Sequence, residues 1–139
     1  MAKAKDELKQ DKPKYPNQQI SLCIPIPPSK NHAYFYRGGR KLQKNKTKKY
    51  IEQIRKYVEE EIAKQKWKKD KHCVWYYIDM YFYFPDKRQR DSHNSIEVLM
   101  DALETVLFPN DYYIMPRIQL VELDRENPRL ELIMSAKER

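Results

Sequence analysis

Apolar residues fall on alternate positions in QISLCIPI, with Ile20, Leu22, Ile24 and Ile26 on one side of an extended chain. That is the period of a half-buried strand. Pro25 lacks the N–H a sheet interior needs, so the strand sits at an edge or stops pairing early. A long polar stretch follows, PPSKNHAYFYRGGRKLQKNKTKKY, read as a loop whose adjacent Gly38 and Gly39 make a tight turn. From about Thr47 to Trp67 the period changes to that of a helix, with Ile51, Ile54, Val58 and Ile62 on one face and charges on the others. CVWYYIDMYFYF, residues 73–84, is rich in aromatic and branched side chains and predicts a central strand with Tyr76, Ile78, Met80, Phe82 and Phe84 on one face. Pro85 and Asp86 close it.

A second helix is expected over Ser92 to Leu107, with Asp91 as N-cap and a buried stripe of Ile96, Leu99, Met100, Leu103 and Leu107. After the turn FPND, two more alternating stretches, YIMPRIQLVELD and RLELIM, predict strands joined through RENP as an antiparallel pair. Strand, helix, strand, helix, strand, strand makes an α+β (mixed α/β) fold, a small mixed sheet of four to five strands packed with two helices. Residues 1–18, rich in Lys, Asp, Gln and Pro, read as a flexible basic arm, and 19–139 as one domain; 139 residues suffice for one core and not for two.

Charge adds a partner to this picture. Twenty-eight Lys and Arg against 20 Asp and Glu leave a net +8, an excess that points to nucleic acid or another anionic surface, or simply solubilises the protein. Its distribution favours phosphate. Between Tyr36 and Tyr50 stand Arg37, Arg40, Lys41, Lys44, Lys46, Lys48 and Lys49 with no acid, and Lys87, Arg88 and Arg90 form a second cluster. Cys23 and Cys73 lie in apolar strands without the spacing of a zinc site and are expected to be buried free thiols in a reducing compartment. No apolar run is long enough for a membrane span or a leader, so a cytoplasmic protein is expected.

The second helix raises the question of chemistry. At about 100° per residue, Asn94, Glu97, Asp101 and Glu104 gather on the side away from the apolar stripe. Periodicity alone reads this as a solvated helix face with Asp91 as a plain cap. Two observations favour a metal: a basic run leads directly into Asp91, and Asp111 follows the helix, free to return to the same region if its strand pairs beside residues 73–84. Carboxylates among phosphate-binding cations are costly unless a divalent ion neutralises them. Magnesium suits the role, holding a few carboxylates while leaving positions for phosphate oxygens.

IPIPPSKNHAYFYRGGR, then PDKRQRDSHNSIEVLMDALETVLFPNDYYI, then two closing strands, resembles the RusA family of Holliday-junction resolvases from Ile20 to Ser135. The resemblance implies a homodimeric, metal-dependent endonuclease acting on four-way DNA junctions in recombination and repair, bacterial or phage-encoded, with magnesium as cofactor and no small-molecule cofactor. It assigns Asp91, Asp101 and Asp111 to the metal, and Asn94 to the motif's asparagine. His93 stands where the family's second acid does, which brings manganese into range. Glu97 replaces a family lysine and is a candidate to make up for the lost carboxylate, giving a catalytic set of Asp91, His93, Glu97 and Asp111. Phosphate contacts are expected from Lys30, Asn31, Arg37, Arg40, Lys41, Lys44, Lys46, Lys87, Arg88, Arg90 and Asn94.

Tyr34, Tyr36 and Tyr50, interleaved with basic residues, are candidates to stack on unpaired bases, while Trp67 and Trp75 are assigned to packing. His32 is a candidate phosphate contact and His72 a surface residue. Two rival readings keep the basic surface without the nuclease: a branched-DNA-binding module whose catalysis is lost through His93 and Glu97, and a metal-free RNA-binding protein.

Overall fold

The computed structural model describes residues 18–29, 33–69, 75–87, 95–104, 106–108 and 114–137. A mixed four-stranded sheet is built from β1 (Gln19–Ile24), β4 (Trp75–Phe84), β5 (Ile114–Leu123) and β6 (Arg129–Lys137), in the order β1-β6-β4-β5. A separate two-stranded hairpin consists of β2 (Tyr34–Arg37) and β3 (Arg40–Gln43). Among the described residues two helices, α1 (Asn45–Gln65) and α2 (Ile96–Leu103), complete the α+β fold. No helix among the described residues is long and apolar enough to cross a membrane.

Prolines stand where sheet edges tolerate them: β1 stops at Ile24 just before Pro25, and Pro116 lies inside β5. Strand β4, with a partner on each side, alternates without a break, and Tyr76, Ile78, Met80, Phe82 and Phe84 are all buried. They share the core with Ile20, Leu22 and Ile24 of β1 and with Leu130, Leu132, Met134 and Ala136 of β6. Ile51, Ile54 and Val58 of α1 close that core, as the helical period requires, with Ile62 packed at its margin. Trp67 packs against Tyr76 with the rings tilted by 48° and donates its indole N–H to Leu107 O at 3.0 Å. Tyr76 in turn lies 6.1 Å from Phe108, centroid to centroid.

Four expectations change. The polar stretch after Pro28 is not all loop: it folds as the hairpin β2–β3 around Gly38 and Gly39, both with positive φ, as the tight two-residue turn requires. Strands β5 and β6 do not pair with each other. Each pairs with β4, β5 in parallel and β6 antiparallel, so residues 124–128 cross the end of β4, where Asp124 N donates to Phe84 O at 2.8 Å. Alternation says which face a residue occupies and nothing about which strand lies alongside.

Helix α2 ends at Leu103, because Glu104 turns to an extended ψ of 143°. Leu107 is buried from the segment beyond the helix, and the buried stripe is Val98, Leu99, Ala102 and Leu103, with Ile96 and Met100 only partly covered. The expected start at Ser92 and cap at Asp91 lie outside the described residues. Cys23 is exposed rather than buried, since it points to the side of β1 opposite Leu22 and Ile24; Cys73 lies outside the described residues.

Candidate nucleic-acid interface and acidic face

The hairpin leans on the acidic side of α2. Glu97 and Asp101 are four residues apart and therefore neighbours on one helix face, and each meets a different hairpin strand. The Tyr34 hydroxyl on β2 donates to Asp101 Oδ2 at 2.6 Å, and the Lys41 ammonium on β3 pairs with Glu97 Oε1. The same ammonium lies 4.3 Å from the centre of the Tyr34 ring, a cation–π contact that closes the four side chains into a ring. Arg55 of α1 donates to the backbone oxygen of Asp101 at 2.8 Å, tying both helices together at the same point.

Ionisation follows this geometry. Burial first, then the hydrogen bond to Asp101 and the charges of Asp101 and Glu97, push the Tyr34 hydroxyl well above its ordinary range, so it remains a neutral donor. The hydrogen bond to Glu97 holds the Lys41 ammonium above its usual value, partly opposed by desolvation. The two acids therefore have different partners. Asp101 accepts from a neutral hydroxyl on one oxygen, whereas Glu97 is paired with the Lys41 ammonium.

The other cationic residues stand on the elements that flank this ring. Arg37 and Arg40 stand opposite each other at the hairpin turn, and Lys44, Lys46, Lys48 and Lys49 occupy the start of α1, whose first turn holds no acid. Cations at a helix N-terminus oppose the helix dipole, so this charge pattern does not serve the helix and suits an external anion. A shallow recess of about 420 Å³ there is lined by Lys46, Lys49, Tyr50 and Gln53. Tyr50 itself is spent on the fold: its hydroxyl donates to Pro25 O at 2.7 Å, and burial pushes its pKa up. Buried Ser95 donates to Pro27 O at 3.4 Å, so the Pro25–Pro27 segment is fastened at both ends.

Of the predicted site residues, Glu97, Asp101 and Lys41 meet here, Arg37 and Arg40 stand at the hairpin turn, Lys44 and Lys46 at the start of α1, and Lys87 is exposed just beyond β4. Lys30, Asn31, Arg88, Arg90, Asp91, His93, Asn94 and Asp111 lie outside the described residues, as do His32 and His72. Among the described residues no group of three or more His, Cys, Asp or Glu could hold a metal ion. The sequence reading missed Tyr34 as a partner of Asp101, and missed Arg55. The signal for the first was the pair YFYR and RKLQ around Gly-Gly, which makes a hairpin able to present Tyr34 and Lys41 on one face.

The strand that follows Asp111 in sequence does pair beside β4, but in parallel. Ile114 stands opposite Tyr76, and Leu123 opposite Phe84, the end from which the chain runs on toward Asp91.

A model of the family described as endodeoxyribonuclease RusA matches residues 25–135, most of the chain. A search of curated proteins finds no match.

Proposed function

The chain belongs to the RusA family of endodeoxyribonucleases, and from that premise we propose that it is a homodimeric, divalent-metal-dependent nuclease that resolves four-way DNA junctions in recombination and repair. The carrying observation is the closed ring Asp101–Tyr34–Lys41–Glu97, which fastens a phosphate-binding hairpin to the acidic helix. DNA held by Arg37, Arg40, Lys44 and Lys46 then lies against the helix whose N-terminal approach carries Asp91 and His93. Lys30, Asn31, Lys87, Arg88, Arg90 and Asn94 extend the phosphate contacts.

Asp101 suits a cation, because its neutral partner orients one oxygen without cancelling the charge. Glu97 stays in the catalytic set as the acid that makes up for His93, and would first have to release Lys41. Asp91, Asp101 and Asp111 with His93 are accordingly the residues that would hold magnesium or manganese, the imidazole favouring the latter. Such an ion, when bound, activates water and stabilises the leaving oxygen in phosphodiester hydrolysis. The protein's own contribution is to fix the phosphate by its arginines and lysines and to orient Asp101 through the Tyr34 hydroxyl.

The dimer follows from the reaction, since resolving a two-fold junction takes paired cuts and one chain has one acidic face. Its setting on this reading is the bacterial cytoplasm, with the gene carried by host or phage. A second reading, an inactive branched-DNA-binding module, draws support from the Lys41–Glu97 pair, which occupies the one acid able to compensate for His93.

Cleavage of a labelled mobile four-way junction in magnesium, manganese or EDTA separates the two. The nuclease gives paired symmetric nicks that require metal and disappear in Asp91→Asn. Tight junction binding without nicks in either metal establishes the binding module.

A further inference from the structure

The hairpin β2–β3 carries two features that work against its own stability. Arg37 and Arg40 are directly opposite across the strand pair, where like charges repel. Beside them Tyr36 leaves 74% of its surface exposed, although a two-stranded hairpin is marginal by itself and depends on apolar cover. Among the described residues the fastening lies at the other end. Tyr34 and Lys41 are fastened to Asp101 and Glu97, while Lys44 N and Thr47 Oγ1 both donate to Ala33 O, at 2.9 and 2.8 Å, closing the base of the hairpin onto α1. The tip is left open: a Cβ on Gly38 or Gly39 would meet nothing within 4 Å, so the glycines serve the positive φ of the turn and not a close approach.

We propose that Tyr36 is a base-stacking residue, its ring packing against an unpaired base at the branch point of a DNA junction while Arg37 and Arg40 take the flanking phosphates. The assignment rests on the junction reading above and adds a specific contact to it. Stacking needs an open aromatic face. Tyr34 has its ring under the Lys41 ammonium and its hydroxyl on Asp101, and Tyr50 is turned inward to Pro25 O. Tyr36 is the one of the three whose ring is free to meet a base. Phosphate binding alone would need no aromatic there, and an intact duplex presents no base face to stack on; a branch point presents both phosphates and unpaired faces. The repulsion between Arg37 and Arg40 is relieved in the same act, because each gains a phosphate. The fastened base makes the contact selective, since a ring on a fixed arm loses little freedom when it stacks.

The test uses four-way junctions with 2-aminopurine at the branch point or in mid-arm, bound in EDTA at fixed salt, beside a duplex of equal length. Wild type is expected to change the fluorescence of the branch-point probe and not of the mid-arm probe. Tyr36→Phe keeps that change. Tyr36→Ala loses it and reduces the preference for junction over duplex about ten-fold, with duplex affinity unchanged because both arginines remain. An equal melting temperature for the two variants and wild type verifies the fold. Wild-type fluorescence and preference in Tyr36→Ala overturn the stacking and leave the junction reading standing. A wild-type protein that binds duplex and junction alike overturns both.

Discussion

Glu97 can serve the hairpin through its shape or the reaction through its charge, and one atom separates these roles. Its partner Lys41 is part exposed, as is Glu97 itself, so the pair adds little to stability. What it fixes is position, with Lys41 over Tyr34 and Tyr34 on Asp101. In Glu97→Gln the amide oxygen still accepts from Lys41, so the hairpin stays fastened while the negative charge disappears. Junction affinity is expected to stay within a factor of about two, well under the cost of a lost charge-assisted bond, and cleavage to be abolished. Unchanged cleavage shows that Glu97 holds the hairpin and takes no part at the metal. The helical period placed Glu97 and Asp101 on one face correctly, but left open whether that face was solvated. It is covered by the hairpin, because period reports which side chains share a side and not what stands against it.

At the scale of elements, α1 ends in a way its sequence does not advertise. Lys66 closes the helix in left-handed backbone, φ 58° and ψ 37°, with its N–H donating to Ile62 O. Glycine is the residue such a cap favours, since a Cβ is strained there, and the Lys66 side chain is exposed. Lys66→Gly is therefore expected to stabilise the fold by about 0.5–1 kcal/mol, read as a higher urea midpoint with an unchanged slope. A lower midpoint would show that the lysine side chain holds the turn. The same bias toward apolar period explains which elements were legible. β1, α1 and β4 have clean stripes and formed where expected. The hairpin is written in aromatics and cations with no apolar alternation, so its only signal was Gly-Gly. Helix α2 was read too long because Leu107 continues the stripe, although the chain has already left the helix at Glu104.

For the whole molecule, the pairing partner of β5 decides how the site is assembled. Five residues between two alternating stretches look like a hairpin in sequence, and nothing in them announces that β4 lies between. Since β5 runs parallel to β4, the chain reaches Ile114 beside Tyr76 and leaves β4 at Phe84, eight strand residues or about 26 Å apart. Asp111 precedes Ile114 by three residues, a tether of at most about 11 Å, and Asp91 follows Phe84 by seven, at most about 25 Å, so the two together can cover that span. Either one chain supplies both aspartates, or each metal site of a dimer draws Asp91 from one protomer and Asp111 from its partner. Mixing then becomes decisive. Asp91→Asn and Asp111→Asn homodimers are each expected to be inert, whereas under the shared arrangement a mixed dimer holds one site with both aspartates intact and one with neither. Co-refolded mixtures should accordingly nick one strand of a four-way junction, in magnesium and not in EDTA, with the dimer confirmed by its mass in solution. Inert mixtures of proven heterodimers mean that both aspartates come from the same chain, and that residues 109–113 and 88–94 bridge the length of β4 within one protomer.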